Sequence, residues 1–325
     1  MTEDKPQTIQ VPPRRRHGWL DRSRGLALLA MASYHLMWDL QSFGYLATDF
    51  ATTGLPRFYA RAIASTFLFL VGLSLVIAQY PQLRLHGFFR RLAMIVGAAG
   101  LVSLSTWFLS PGTFIYYGIL HSIAVSSLVG LAFLRLPPAL TLVAALAAIA
   151  APHFLQSDIF NHPLLWWTGL ATVYRRSDDF VPLIPWIGPV LIGIATMRIA
   201  VDRNWLARQP AASQPSNRFD KGLTFLGRHS LVFYLIHQPI LIGLVAATAY
   251  VLPPPAADPV MSYQKSCNAS CGMSEAETFC KTFCDCTIDR LMEQNLFTPL
   301  VKGEISAKDD TRITRIGAEC TKLAF

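Results

Sequence analysis

Apolar runs of about 18 residues or more recur along the first 252 positions of the chain, and each carries few charges. A run of that length closes its backbone hydrogen bonds within one helix and matches the ~30 Å hydrocarbon layer of a bilayer. Of the 325 residues, 52% are hydrophobic and only 15% are charged, too few charges for an average soluble protein. The expectation is an all-α, polytopic helical membrane protein with about seven transmembrane helices. They fall at about 23–46, 61–80, 92–109, 114–134, 139–152, from 182–186 to just before Arg198, and 223–252. Turn residues punctuate them: Ser110-Pro111-Gly112 stops the third, Pro137-Pro138 follows the fourth, and Pro253-Pro254-Pro255 ends the last.

The net charge of +8 does not point to nucleic acid, because the cations sit in loops between spans and no aromatic-basic groove or zinc-finger spacing accompanies them. The basic segments are the tail with Arg14-Arg15-Arg16, the 84–91 turn, Arg135 and the 198–221 loop. With seven spans all four share one side, which makes the N-terminus cytoplasmic and the C-terminus extracytoplasmic. Residues 1–20 read as an uncleaved cytoplasmic tail, since no small-residue cleavage site follows. Residues 21–253 form the transmembrane domain, and 254–325 form a small helical extracytoplasmic domain rich in cysteine.

That last segment holds all six cysteines, as Cys267-x3-Cys271, Cys280-x3-Cys284-x-Cys286 and Cys320. An even number in a short polar segment suits disulfides, which persist in an oxidising compartment. Cysteines with three residues between them on two short helices could staple a hairpin, although six cysteines allow 15 pairings. Zinc is the competing reading, but the segment contains no histidine. So short a domain builds little core and needs staples.

The first span carries the chemistry. It contains Arg24, His35 and Asp39 in otherwise apolar surroundings, and ionisable residues inside a membrane usually mark a functional interior. His35 and Asp39 stand four apart, on one helical face. A carboxylate there can orient an imidazole as a proton acceptor; an interhelical hydrogen bond that only holds a bundle together is the alternative. At 1.5 Å per residue, His35 lies about 16 Å beyond Arg24, in the outer half of the membrane. His121 and His237 fall at similar depth on other spans, so three histidines could face one cavity. At the opposite mouth, Arg24, Arg228 and His229 could bind a phosphorylated donor such as an acyl-coenzyme A. Arg90 and Arg91 fit positive-inside anchoring instead. No Gly-rich phosphate loop, nucleophile elbow or haem-type Cys-x-x-Cys-His occurs, and no metal is expected. A proton-coupled transporter or flippase of a polar or lipid-linked molecule would also use buried His and Asp.

Four stretches carry a family resemblance. Arg24-Gly25 followed by His35 resembles the acyltransferase-3 superfamily. Tyr117-Gly-Ile-Leu-His121, Asp179-Phe-Val-Pro-Leu-Ile-Pro185-Trp186 and Leu226-Gly-Arg-His-Ser-Leu-Val-Phe-Tyr-Leu-Ile-His237-Gln-Pro239 resemble the bacterial branch of the heparan-alpha-glucosaminide N-acetyltransferase catalytic-domain family. The match covers about 18–250. The resemblance implies a bacterial inner-membrane enzyme that moves an acetyl or other acyl group from cytoplasmic acyl-CoA, its co-substrate, to an extracytoplasmic sugar or glycan. His35, oriented by Asp39, would take the acceptor's proton. His121 or His237 would polarise the thioester or position the acceptor, and Arg24 would lie on the donor side.

Overall fold

The computed structural model describes residues 18–47, 49–205, 217–255, 258–272, 275–307 and 309–324. Most of the expected N-terminal tail and the middle of the 198–221 loop lie outside the described residues. The chain divides into two compact units, Met1–Val251 and Leu252–Phe325. Every regular element described is helical.

The first unit contains α1 (Gly18–Ser42), α2 (Gly54–Gln79), α3 (Leu85–Leu109), α4 (Ile119–Phe133), α5 (Pro138–Leu155), α6 (Leu183–Asp202), α7 (Arg218–Arg228) and α8 (Ser230–Val251). Among the described residues, α2, α3, α5, α6 and α8 are long and apolar enough to cross a membrane. The expected count of seven is therefore corrected to five that meet both conditions. Helix α4 has only 15 residues, because 114–118 run outside the helix and Gly118 caps it. Helix α1 has 25 residues but carries Asp21, Arg22, Arg24, His35 and Asp39. The expected span 223–252 is not continuous, since it breaks at His229 into α7 and α8. The architecture is that of a polytopic helical membrane protein.

Helix α6 is the centre of the core. Its Ile187, Val190, Leu191 and Ile194 are buried against Leu68, Leu73 and Val76 of α2 and Ala145 of α5. Close approach is needed here: a β-carbon on Gly72 would collide with the Val190 carbonyl, and one on Gly193 with the Phe69 carbonyl. The opposite faces are apolar and uncovered, including Leu101, Leu104 and Phe108 on α3, Val143 and Leu146 on α5, and Ile240 and Leu244 on α8. Water would penalise contiguous patches of this kind, whereas acyl chains do not.

Two loops zip together at one end of this unit. The backbone N–H of Asp178 donates to Thr113 O (2.9 Å) and that of Val181 to Tyr117 O (3.1 Å). Arg175 donates to the Pro111 carbonyl (2.7 Å), and the Tyr116 ring lies 5.5 Å from Trp166 and 5.3 Å from Phe180.

The second unit comprises α9 (Pro259–Cys271), α10 (Glu277–Glu293), α11 (Phe297–Val301) and α12 (Thr311–Ala324). All six cysteines are consumed in disulfides: Cys267–Cys284, Cys271–Cys280 and Cys286–Cys320. The first two staple α9 to α10, and the third ties α12 to α10. The zinc alternative fails because no thiolate remains to bind a metal. Leu291, Leu296, Phe297 and Ile316 form a small core beside Cys320.

Candidate active site

Helices α1 and α8 bring together three of the residues singled out in the sequence. The His35 and His237 rings meet edge to face with centroids 5.0 Å apart. One turn after His35, Asp39 is 3% exposed and accepts a hydrogen bond through Oδ1 from Gln238 Nε2 at 2.8 Å. The expected carboxylate–imidazole bond within α1 is not among the hydrogen bonds of the described residues. The i,i+4 spacing places both side chains on one stripe, but the Gln238 amide reaches Asp39 while His35 turns its ring to His237.

His237 is 6% exposed. Its Nδ1 lies 2.7 Å from the Tyr234 carbonyl oxygen, and its ring stacks on Phe233 with centroids 5.8 Å apart. Three buried atoms of the cluster have no partner among the described residues: His237 Nε2, Asp39 Oδ2 and Gln238 Oε1. Buried polar atoms are rarely left that way.

His121 stands apart. Its Nδ1 accepts from the Gly118 N–H at 3.2 Å, and its Nε2 faces Ser103 Oγ at 3.3 Å. It borders a small cavity also lined by Ala99, Val102, Asp179 and Tyr234. Asp179, in the loop before α6, accepts from the Ile119 N–H at the start of α4 (2.8 Å) and bonds the Tyr234 side chain. Tyr234 therefore touches both groups, through its hydroxyl to Asp179 and through its carbonyl to His237. Burial raises the Asp179 carboxyl to about 6, against the hydrogen bonds that favour its anion.

The other end of α1 carries the cations. Arg24 Nη1 lies 3.3 Å from Asp21 Oδ1, and the second oxygen of Asp21 lies 3.6 Å from Arg228 Nε. Arg24 also donates to Ser74 Oγ on α2, and Arg91 of α3 is close enough to act on it electrostatically. His229 does not join them; its Nδ1 turns back to the Phe225 carbonyl at 2.9 Å. Helix α7 reaches this corner through two glycines. A β-carbon on Gly25 would strike the Leu223 carbonyl, and one on Gly227 the Asp21 carbonyl.

The family model described as heparan-alpha-glucosaminide N-acetyltransferase, catalytic, matches residues 16–239. The chain belongs to that family. The matched stretch runs from the start of α1 to one residue past Gln238, so both clusters on α1 lie inside it. Comparisons with curated proteins and with solved structures return no match. Membership in this N-acetyltransferase family makes the chain a membrane acyltransferase.

Sequence reasoning missed Gln238, Tyr234, Asp179 and Asp21 as site residues. The first three sit inside the stretches that carry the family resemblance, adjacent to or three residues from His237 or opening the Asp179–Trp186 motif. That position was the available signal. Asp21 is three residues before Arg24, a helical ion-pair spacing.

Proposed function

We propose that the protein transfers an acetyl or other acyl group from acyl-CoA to an amine on an extracytoplasmic sugar or glycan, with the chemistry at His35, Asp39 and His237. The single observation behind this reading is the set of three buried atoms on that cluster that have no partner among the described residues. All three are hydrogen-bond acceptors: a carboxylate oxygen, an amide oxygen and an imidazole lone pair. The missing partner is therefore rich in donors, and a primary amine or ammonium supplies two or three on one atom. An acceptor amine fits that deficit better than a single hydroxyl.

The donor side is assigned to the opposite end of the same helix. Arg24 and Arg228 offer forked donors suited to phosphate, and Asp21 holds both in place. Eleven helical residues separate Arg24 from His35, about 16 Å, a span that the extended pantetheine arm of coenzyme A can reach across. Asp39 keeps Gln238 in place, and His121 is reassigned from chemistry to shaping the neighbouring wall. The donor enters from the cytoplasm and the acceptor from outside, in a bacterial inner membrane with the N-terminus cytoplasmic.

The test uses inverted membrane vesicles supplied with labelled acetyl-CoA. Wild-type vesicles should transfer label to an amine-bearing product, and His35→Ala should transfer clearly less while inserting at wild-type levels. Equal labelling by the two would sink the assignment of the site.

A further inference from the structure

The sequence assigns the proton-accepting role to His35 and lesser roles to His121 or His237, and the hydrogen bonds of the three separate them. A backbone carbonyl only accepts, so the 2.7 Å contact to Tyr234 O requires His237 Nδ1 to carry the hydrogen. A neutral His237 then has its lone pair on Nε2, which is buried and without a partner among the described residues. His121 is wired the opposite way. Gly118 N–H occupies the Nδ1 lone pair, so the hydrogen sits on Nε2 and faces Ser103. Neither nitrogen of His121 is free to accept a proton. His35 makes no hydrogen bond among the described residues that would select either tautomer, and the carboxylate expected to do so is engaged by Gln238.

We infer that His237, not His35, takes the acceptor's proton, with its tautomer fixed by the Tyr234 carbonyl. This rests on acyl transfer occurring at this cluster. As the acceptor nitrogen attacks the thioester carbon, its N–H proton moves to His237 Nε2. The new C–N bond forms and the C–S bond breaks. His237 then returns the proton to the departing sulfur, leaving amide and free thiol, so that neither atoms nor charge are left over. His35, whose ring packs against His237, is a positioning residue that limits how the neighbouring ring can turn. The Tyr234 side chain is in turn fixed to Asp179, so the carbonyl that sets the tautomer belongs to a residue anchored outside α8.

The decisive measurement is nitrogen NMR on the full-length protein in lipid nanodiscs with its eight histidines labelled. Signals missing from His237→Gln identify His237. The expected pattern is a protonated Nδ1 and a lone-pair Nε2, with His121 showing the reverse as an internal check on the fold. A His237 with its hydrogen on Nε2 would overturn the inference whether or not transfer is observed. The kinetic arm uses acetyl-CoA as donor and glucosamine as the probe amine. His237→Gln should lower kcat by about 100-fold or more, in the range for loss of a general base, with KM for acetyl-CoA within about twofold. His35→Gln should lower kcat less than His237→Gln. The reverse ranking would overturn the assignment to His237 while leaving the acyltransferase reading intact. No transfer by the wild type to any amine would count against that reading, and the tautomer would still decide this one.

Discussion

Asp179 is where a single side chain ties together a loop and two helices. It accepts from the first N–H of α4 and meets the Tyr234 hydroxyl of α8. Its carboxyl is raised to about 6 from the usual 3.8, so between those values the folded protein keeps a proton that the unfolded chain releases. The contribution of this group to native stability is then greatest below about pH 4 and declines as pH rises towards about 6. Asp179→Asn lacks that titration. The thermal midpoint of the variant minus that of wild type should grow across this window, read by tryptophan fluorescence, and a pH-independent difference would refute the reading. Residues at this scale were only half legible. The spacing of His35 and Asp39 was plain, but a helical stripe read alone cannot reveal which residue of a later helix enters it. Gln238 lies 199 positions from Asp39, and its amide replaced the expected imidazole as the carboxylate's partner.

At the level of elements, the break at His229 changes what α7 is. Apolar content from Leu223 onward suggested one span, yet Arg218, Asp220, Lys221 and Arg228 bound a helix with one buried stripe: Leu223, Thr224 and Gly227. The three-to-four-residue spacing of that stripe was visible in the sequence, but the long apolar run after it dominated. Conversely, the six helices α2 to α6 and α8 overlap the apolar runs, because within a membrane the backbone has few other ways to satisfy its hydrogen bonds, although α3 extends back through the expected 84–91 turn and α4 and α8 start later than expected. Two glycines of α7 distinguish packing from propensity. Gly227→Ala pushes a methyl group into the Asp21 backbone and should cost about 1–3 kcal/mol, as overpacking does. Gly222 is exposed with open space around it, so Gly222→Ala should stabilise by about 0.5–1 kcal/mol through helix propensity alone. Unfolding midpoints moving in opposite directions check the pair; a shared direction contradicts it.

The whole molecule joins two units held together by different physics. The first buries its core around α6, while the second has a core of a few residues and three crosslinks. Loop closures of this size contribute about 3 kcal/mol each in the chain-entropy picture. Reduction should therefore open α9 to α12 to protease while the helices of the first unit stay protected, as mapped by mass spectrometry of limited digests. A reduced C-terminal unit as resistant as the oxidised one would show that its core suffices. The cysteine spacing pointed to a stapled hairpin, and only the pairing itself lay beyond it, since fifteen arrangements share one sequence.

The pairing also fixes a covalent graph. Cys271–Cys280 nests inside Cys267–Cys284, and Cys286–Cys320 closes a separate ring. A single backbone cut after Lys281, Arg290, Lys302, Arg312 or Arg315 falls within a ring, so the two pieces stay attached until a reductant is added. The step from Cys284 through Asp285 to Cys286 belongs to no ring. One broken peptide bond there detaches the α12 ring from the nested pair with every disulfide intact, which makes Asp285 the bridge edge of the network.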